Sequence, residues 1–90
     1  MDSQELLEAL SELCREAGLE VRVAAGMGDG DFPTPSGVCR VRESLWVVLS
    51  RADPIDARIE VLATALRDHA GELLESRYLP PALRARLGTA

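Results

Sequence analysis

The sequence predicts an α+β domain, a small antiparallel three-stranded sheet with helices packed on one face, in the order α-β-β-β-α-α. Three observations carry this. Apolar residues recur at steps of three and four in two stretches, Leu6 to Ala17 and Ile55 to Leu73, the spacing of one helix face. Between them lie short apolar or alternating runs, Leu19–Ala25 and Val38–Ser50, which read as strands. Breakers then separate these segments, at Gly18, across 26–37 and at Pro80-Pro81.

The first helix is expected over 3–17, with Ser3 as its cap and Gln4, Glu5 and Glu8 placing polar and negative groups near the positive end of the dipole. Leu6, Leu7, Leu10, Leu13, Cys14 and Ala17 form its inner stripe, and Gly18 is the natural stop. In the strand that follows, Leu19, Val21, Val23 and Ala25 are expected to face the core. The 26–37 stretch, rich in glycine and proline, is a loop, either a long connection or a flap over a pocket.

Val38–Ser50 reads as a hairpin turning at Glu43-Ser44, with Cys39 and Val41 on one face and Arg40 and Arg42 on the other. Leu45–Leu49 is continuously apolar and so is expected to be the central strand, with Trp46 its largest side chain. Asp53 is placed as the cap and Pro54 as the first residue of a long helix. That helix either ends near Ala70-Gly71 or absorbs the glycine and runs to about Ser76. Pro80-Pro81 then forces an extended link, and Pro81 opens a short terminal helix with Leu83 and Leu87 inward and Arg84 and Arg86 outward. Residues 1–90 thus form a single small domain, with 80–90 as its terminal helix and tail.

Ninety residues bury only about 60–65 % of their unfolded surface, so stability rests on few apolar faces. With 47 % hydrophobic and 28 % charged residues, the composition is that of a folded globular domain. A formal net charge of −5 opposes nucleic-acid binding, and three aromatics (Phe32, Trp46, Tyr78) are too few for a base-stacking surface. All ten basic residues are Arg, as a GC-rich coding sequence would give. Met1–Glu5 is acidic, without the positive region of a signal peptide, and no apolar run reaches the roughly 20 residues of a membrane span. The expected compartment is the cytoplasm, with no membrane contact.

The residues that could carry chemistry are sparse. Gly26, Gly28 and Gly30 follow a strand, but the spacing misses a dinucleotide fingerprint and Asp31, Phe32 and Pro33 replace the helix that would hold the phosphate. Asp29 and Asp31 fall short of a calcium loop. His69 stands alone, expected at the border of the long helix's buried face. Cys14 and Cys39 fit no metal spacing, and both are expected as reduced core thiols; a disulfide requires the fold to bring them together.

Helix, strand, glycine loop, strand pair and amphipathic helix over about 18–75 resemble the core of ImmA/IrrE-type metallopeptidases. In the best register, Leu62-Ala63-Thr64-Ala65-Leu66-Arg67-Asp68 stands where that family carries a LAHELGH-like motif. Thr64 and Asp68 occupy the two zinc-histidine positions and Ala65 that of the general-base glutamate, so the resemblance implies a scaffold without zinc or peptidase activity. Gly37-Val38-Cys39-Arg40-Val41 and Tyr78-Leu79-Pro80-Pro81-Ala82-Leu83-Arg84 resemble a group of short, uncharacterised bacterial proteins with a GxCRV…YLPPxxR layout, which implies no particular activity.

The expectation is therefore a small non-enzymatic cytosolic module that binds a protein partner or itself, a homodimer being one form, without cofactor or metal. Phe32, Trp46, His69, Tyr78 and Arg84 are the candidate interaction or pocket residues, and Cys14 and Cys39 the candidate thiols. The alternatives are a stripped metallopeptidase-like scaffold sensing a small molecule under the 26–37 loop, or an enzyme using Cys39 or His69.

Overall fold

A computed structural model describes residues 1–24 and 36–88. Most of the 26–37 loop, Phe32 with it, and the last two residues lie outside the described residues. Seven elements run in the order α1 (Ser3–Glu16), β1 (Glu20–Ala24), β2 (Gly37–Val41), β3 (Ser44–Ser50), α2 (Ile55–His69), α3 (Gly71–Ser76) and α4 (Pro81–Leu87). The α+β class holds, with one more helix than expected.

The sheet is mixed, not purely antiparallel. Its order is β1-β3-β2, with β3 parallel to β1 and antiparallel to β2. Chain direction alternates as in a meander, but β3 inserts between the other two, which makes its pairing with β1 parallel. The reason is in the residues. β3 (SLWVVLS) is the most apolar strand and takes the doubly paired position, leaving the half-polar β1 and β2 at the edges.

α1 starts one residue earlier than Ser3 predicts: Asp2 is the cap. Its carboxylate accepts from the Glu5 N–H at 2.8 Å, and Glu5 accepts from the Asp2 N–H at 3.1 Å, a reciprocal capping box. At the other end, Gly18 takes φ +87°, and the N–H groups of Gly18 and Leu19 donate back to the Arg15 and Cys14 carbonyls. This left-handed stop turns the chain directly into β1.

α2 begins without a side-chain cap, Pro54 standing at its N-cap position. It ends at His69 because Ala70, at φ −136° and ψ 30°, leaves the helical region; Gly71 then starts the short α3. α4 forms where the sequence predicts it, with Arg84 outward but Arg86 half-buried beside Asp56. Pro81 opens it, Leu83 and Leu87 are buried, and Gly88 at φ +74° closes it. Arg67 of α2 donates to the Leu87 carbonyl at 3.1 Å, tying the last turn of α4 to the helix beneath, and Arg77 pairs with Glu16 of α1.

One apolar cluster joins these parts. Leu10, Cys14, Ile59, Leu62, Ala63 and Leu66 from α1 and α2 close over Val47 and Leu49 of β3, with Leu74, Leu79, Leu83 and Leu87 completing one end. α1 packs on α2 and β1, α2 packs on β3 and β2, and α4 packs on α1 and α2, so the helices occupy one side of the sheet.

The β2–β3 hairpin turns at Arg42-Glu43, one residue before the expected position, since Val41 pairs with Ser44. Arg42 sits at φ +57°, the only described non-glycine residue with positive φ. A left-handed conformation at a side-chain-bearing residue costs about 1 kcal/mol or more, and two-residue hairpin loops favour glycine there. Arg42→Gly is expected to raise the unfolding free energy by about 0.5–1 kcal/mol in a urea titration, after the glycine's own entropic cost.

Candidate functional site

The register of β3 decides which side chains of the sheet face the helices. Val47 and Leu49 are buried beneath α1 and α2, so Trp46 and Val48 project to the other face. Cys39 pairs with Trp46 and joins it on that side, as do Glu20 and Arg22 through their pairing with Trp46 and Val48. Among the described residues no helix packs there.

This corrects the core assignment of Cys39. The thiol is exposed, because its partner in the ladder is Trp46 and not the buried Val47. Val38 and Arg40, on the helix side, lie at the outer edge beyond full cover and are exposed too. Val23, expected inward, is 56 % exposed for the same reason at the opposite edge.

Trp46 is half-buried. The Arg22 guanidinium lies 4.8 Å from its ring centre and pairs with Glu20 at 3.2 Å. An exposed cation–π contact of this kind is worth about 0.5–1 kcal/mol. Arg22 was not among the residues singled out from sequence. Its parity with Glu20 on an edge strand was the available signal, but only the β1–β3 pairing puts it beside Trp46.

His69 is exposed at the end of α2. It borders an open groove of about 340 Å³ between β2 and α2, with Gly37 and Val38 on the strand side and Val61, Thr64 and Asp68 on the helix side. Thr64 and Asp68 therefore share a groove with His69. The described residues contain no group of three or more His, Cys, Asp or Glu able to hold a metal ion.

Neither thiol lines that groove. Cys14 is enclosed between α1 and α2, its Sγ 3.9 Å from the Leu62 carbonyl, and burial pushes its pKa up to about 12 against the smaller opposing effect of Arg15. A thiol so raised stays protonated and inert at neutral pH. Both cysteines are free, one within the helix layer and the other on the far face of the sheet.

Tyr78 is 79 % exposed on the link before Pro80-Pro81. Arg84 turns back along α4 and donates from Nε to the Leu79 carbonyl at 3.2 Å, bracing the proline link. The two candidates thus differ in kind: Tyr78 is free to meet a partner, and Arg84 is held by its own backbone.

Asp53 does not cap α2. Its carboxylate accepts from the Ser36 N–H at 3.0 Å, while the Ser36 hydroxyl accepts from the Ser50 N–H at 2.8 Å. The pair fastens the start of β2 to the end of β3. Hydrogen bonding from the Ser36 hydroxyl, then from its N–H, holds the Asp53 carboxyl below the ordinary aspartate value, assisted by Arg58.

Compared with family models, curated proteins and solved structures, the chain has no match.

Two outcomes follow from these side chains. A thiol reagent such as dithionitrobenzoate should modify one cysteine of the native protein, Cys39, and reach Cys14 only on unfolding; rapid modification of both would contradict the buried placement. Because the native Asp53 pKa is lowered, its contribution to stability is complete above about pH 4 and falls away as pH drops through the lower native value. Asp53→Asn should therefore lower stability at neutral pH and flatten the acid limb, read by denaturant titration across pH.

Proposed function

We propose that the chain is a small protein-interaction module that acts by binding another protein or a second copy of itself, without chemistry of its own. The observation that supports this reading best is the one-sided sheet. Trp46, Val48 and Val41 are only half-buried on the face turned away from the helices, beside the exposed Cys39. Aromatic side chains of this kind, partly wet in the free protein, are the usual anchors of protein–protein contacts. Tyr78, exposed on a rigid proline link, adds a second anchor of the same chemistry. A domain this small also gains proportionally from burying further surface on association.

The working compartment under this reading is the cytoplasm, where two free thiols stay reduced. No helix among the described residues is long and apolar enough to cross a membrane. An enzyme built on Cys39 and His69 is the weaker reading, since the groove bordered by His69 includes neither cysteine.

Light scattering over a concentration series, combined with Trp46 emission, tests the proposal. The expected result is a mass above the 9.7 kDa of one chain, or a captured protein partner in stable complex, with emission shifting to the blue as Trp46 is covered. A 9.7 kDa species at every concentration, with no captured partner and unchanged emission, would overturn it.

A further inference from the structure

β2 is an edge strand of the described sheet, and the groove beside it runs between that edge and α2. An edge presents unpaired backbone N–H and C=O groups, which another strand can complete. The groove also carries mismatched features. Val38 is 38 % exposed beside Val61, while Asp68 and Glu60 bring carboxylates to the same space, Glu60 already paired with Arg67 at 3.4 Å. Neither Asp68 nor Arg40 has an ion-pair partner among the described residues.

We propose that two copies of the chain join through β2, pairing antiparallel about a two-fold axis at Cys39 so that two three-stranded sheets become one. The spatial order is then β1-β3-β2-β2′-β3′-β1′, primes marking the second copy. This deepens the self-association reading above, on which it rests, by naming the partner and the surface.

The register follows from parity. Residues directly opposite in a ladder share a face, so only registers that pair odd with odd keep both helix layers on the same side. Centring on Cys39 engages all of Gly37–Val41, setting Gly37 against Val41′ and Val38 against Arg40′. Moving the axis to Arg40 would set two guanidinium groups face to face and shorten the overlap, both unfavourable. The same objection applies at the other edge. Pairing β1 with itself across its full length centres on Arg22, again opposing two like charges.

The chosen register also resolves the unpaired charges. Val38 and Arg40 lie on the helix side, because Val38 pairs with the buried Val47 and Arg40 with Leu45. Arg40′, beside Val38, therefore enters the groove that Val38 shares with Asp68, and Arg40 does the same in the second copy. Each association thus brings two opposite-charge contacts and covers the exposed Val38 twice.

The test uses the full chain. The wild-type protein should dimerise by light scattering, and a short bis-maleimide should cross-link Cys39 to Cys39′, a product that Cys39→Ser abolishes. Arg40→Glu, a change at an exposed side chain whose folding is checked by thermal melting, should weaken the dimer about tenfold or more. Adding Asp68→Arg to it should return the dissociation constant to within about threefold of wild type. A wild-type dimer that does not cross-link through Cys39 and is unmoved by Arg40→Glu would overturn the β2 pairing while leaving self-association standing. A wild-type monomer throughout would overturn both.

Discussion

The burial of Val47 and Leu49 under Leu10, Ile59, Leu62 and Leu66 is the contact on which the rest of the molecule depends. Each such aliphatic side chain, fully buried, contributes about 1.5–3 kcal/mol, and a domain of ninety residues has few of them to lose. Placing β3 at the centre satisfies its backbone on both edges and lays one row of its side chains against α1 and α2. The mixed pairing, the edge positions of β1 and β2, and the exposure of the opposite face are consequences. α4 adds a smaller contribution at one end, through Leu83 and Leu87, and is held by the Arg67 contact to its last carbonyl.

Much of this was legible in the residues. Helical spacing located α1 and α2, Gly18 marked the end of the first, and the apolar run at Leu45–Leu49 identified the central strand. What failed was information that only pairing supplies. The order β1-β3-β2 cannot be read from three short strands, and it is this order that turns Cys39 outward with Trp46 and sets Arg22 over the indole. Asp53 illustrates the same limit at shorter range. Its position before Pro54 suits a helix cap, but Ser36, seventeen residues earlier, offers two donors and takes the carboxylate instead.

The site residues divide accordingly. Trp46 is half-buried and Tyr78 exposed, Arg84 is committed to the Leu79 carbonyl, and His69 borders a groove that neither cysteine lines. Arg40 and Asp68 passed unremarked as candidates because a lone surface charge carries no signal in a sequence. Val38, on the helix side of the β2 edge of the described sheet, shares the groove with Asp68.

The claim beneath all of this is that α1, α2 and β3 form one cooperative unit to which the other elements are attached. Native-state hydrogen exchange tests it directly. The account predicts that amides of Val47–Leu49 and Leu62–Leu66 exchange only through global unfolding, with a common opening free energy, while those of Leu83–Leu87 in α4 open at a lower one. Exchange at Val47–Leu49 as fast as in α4 would contradict it.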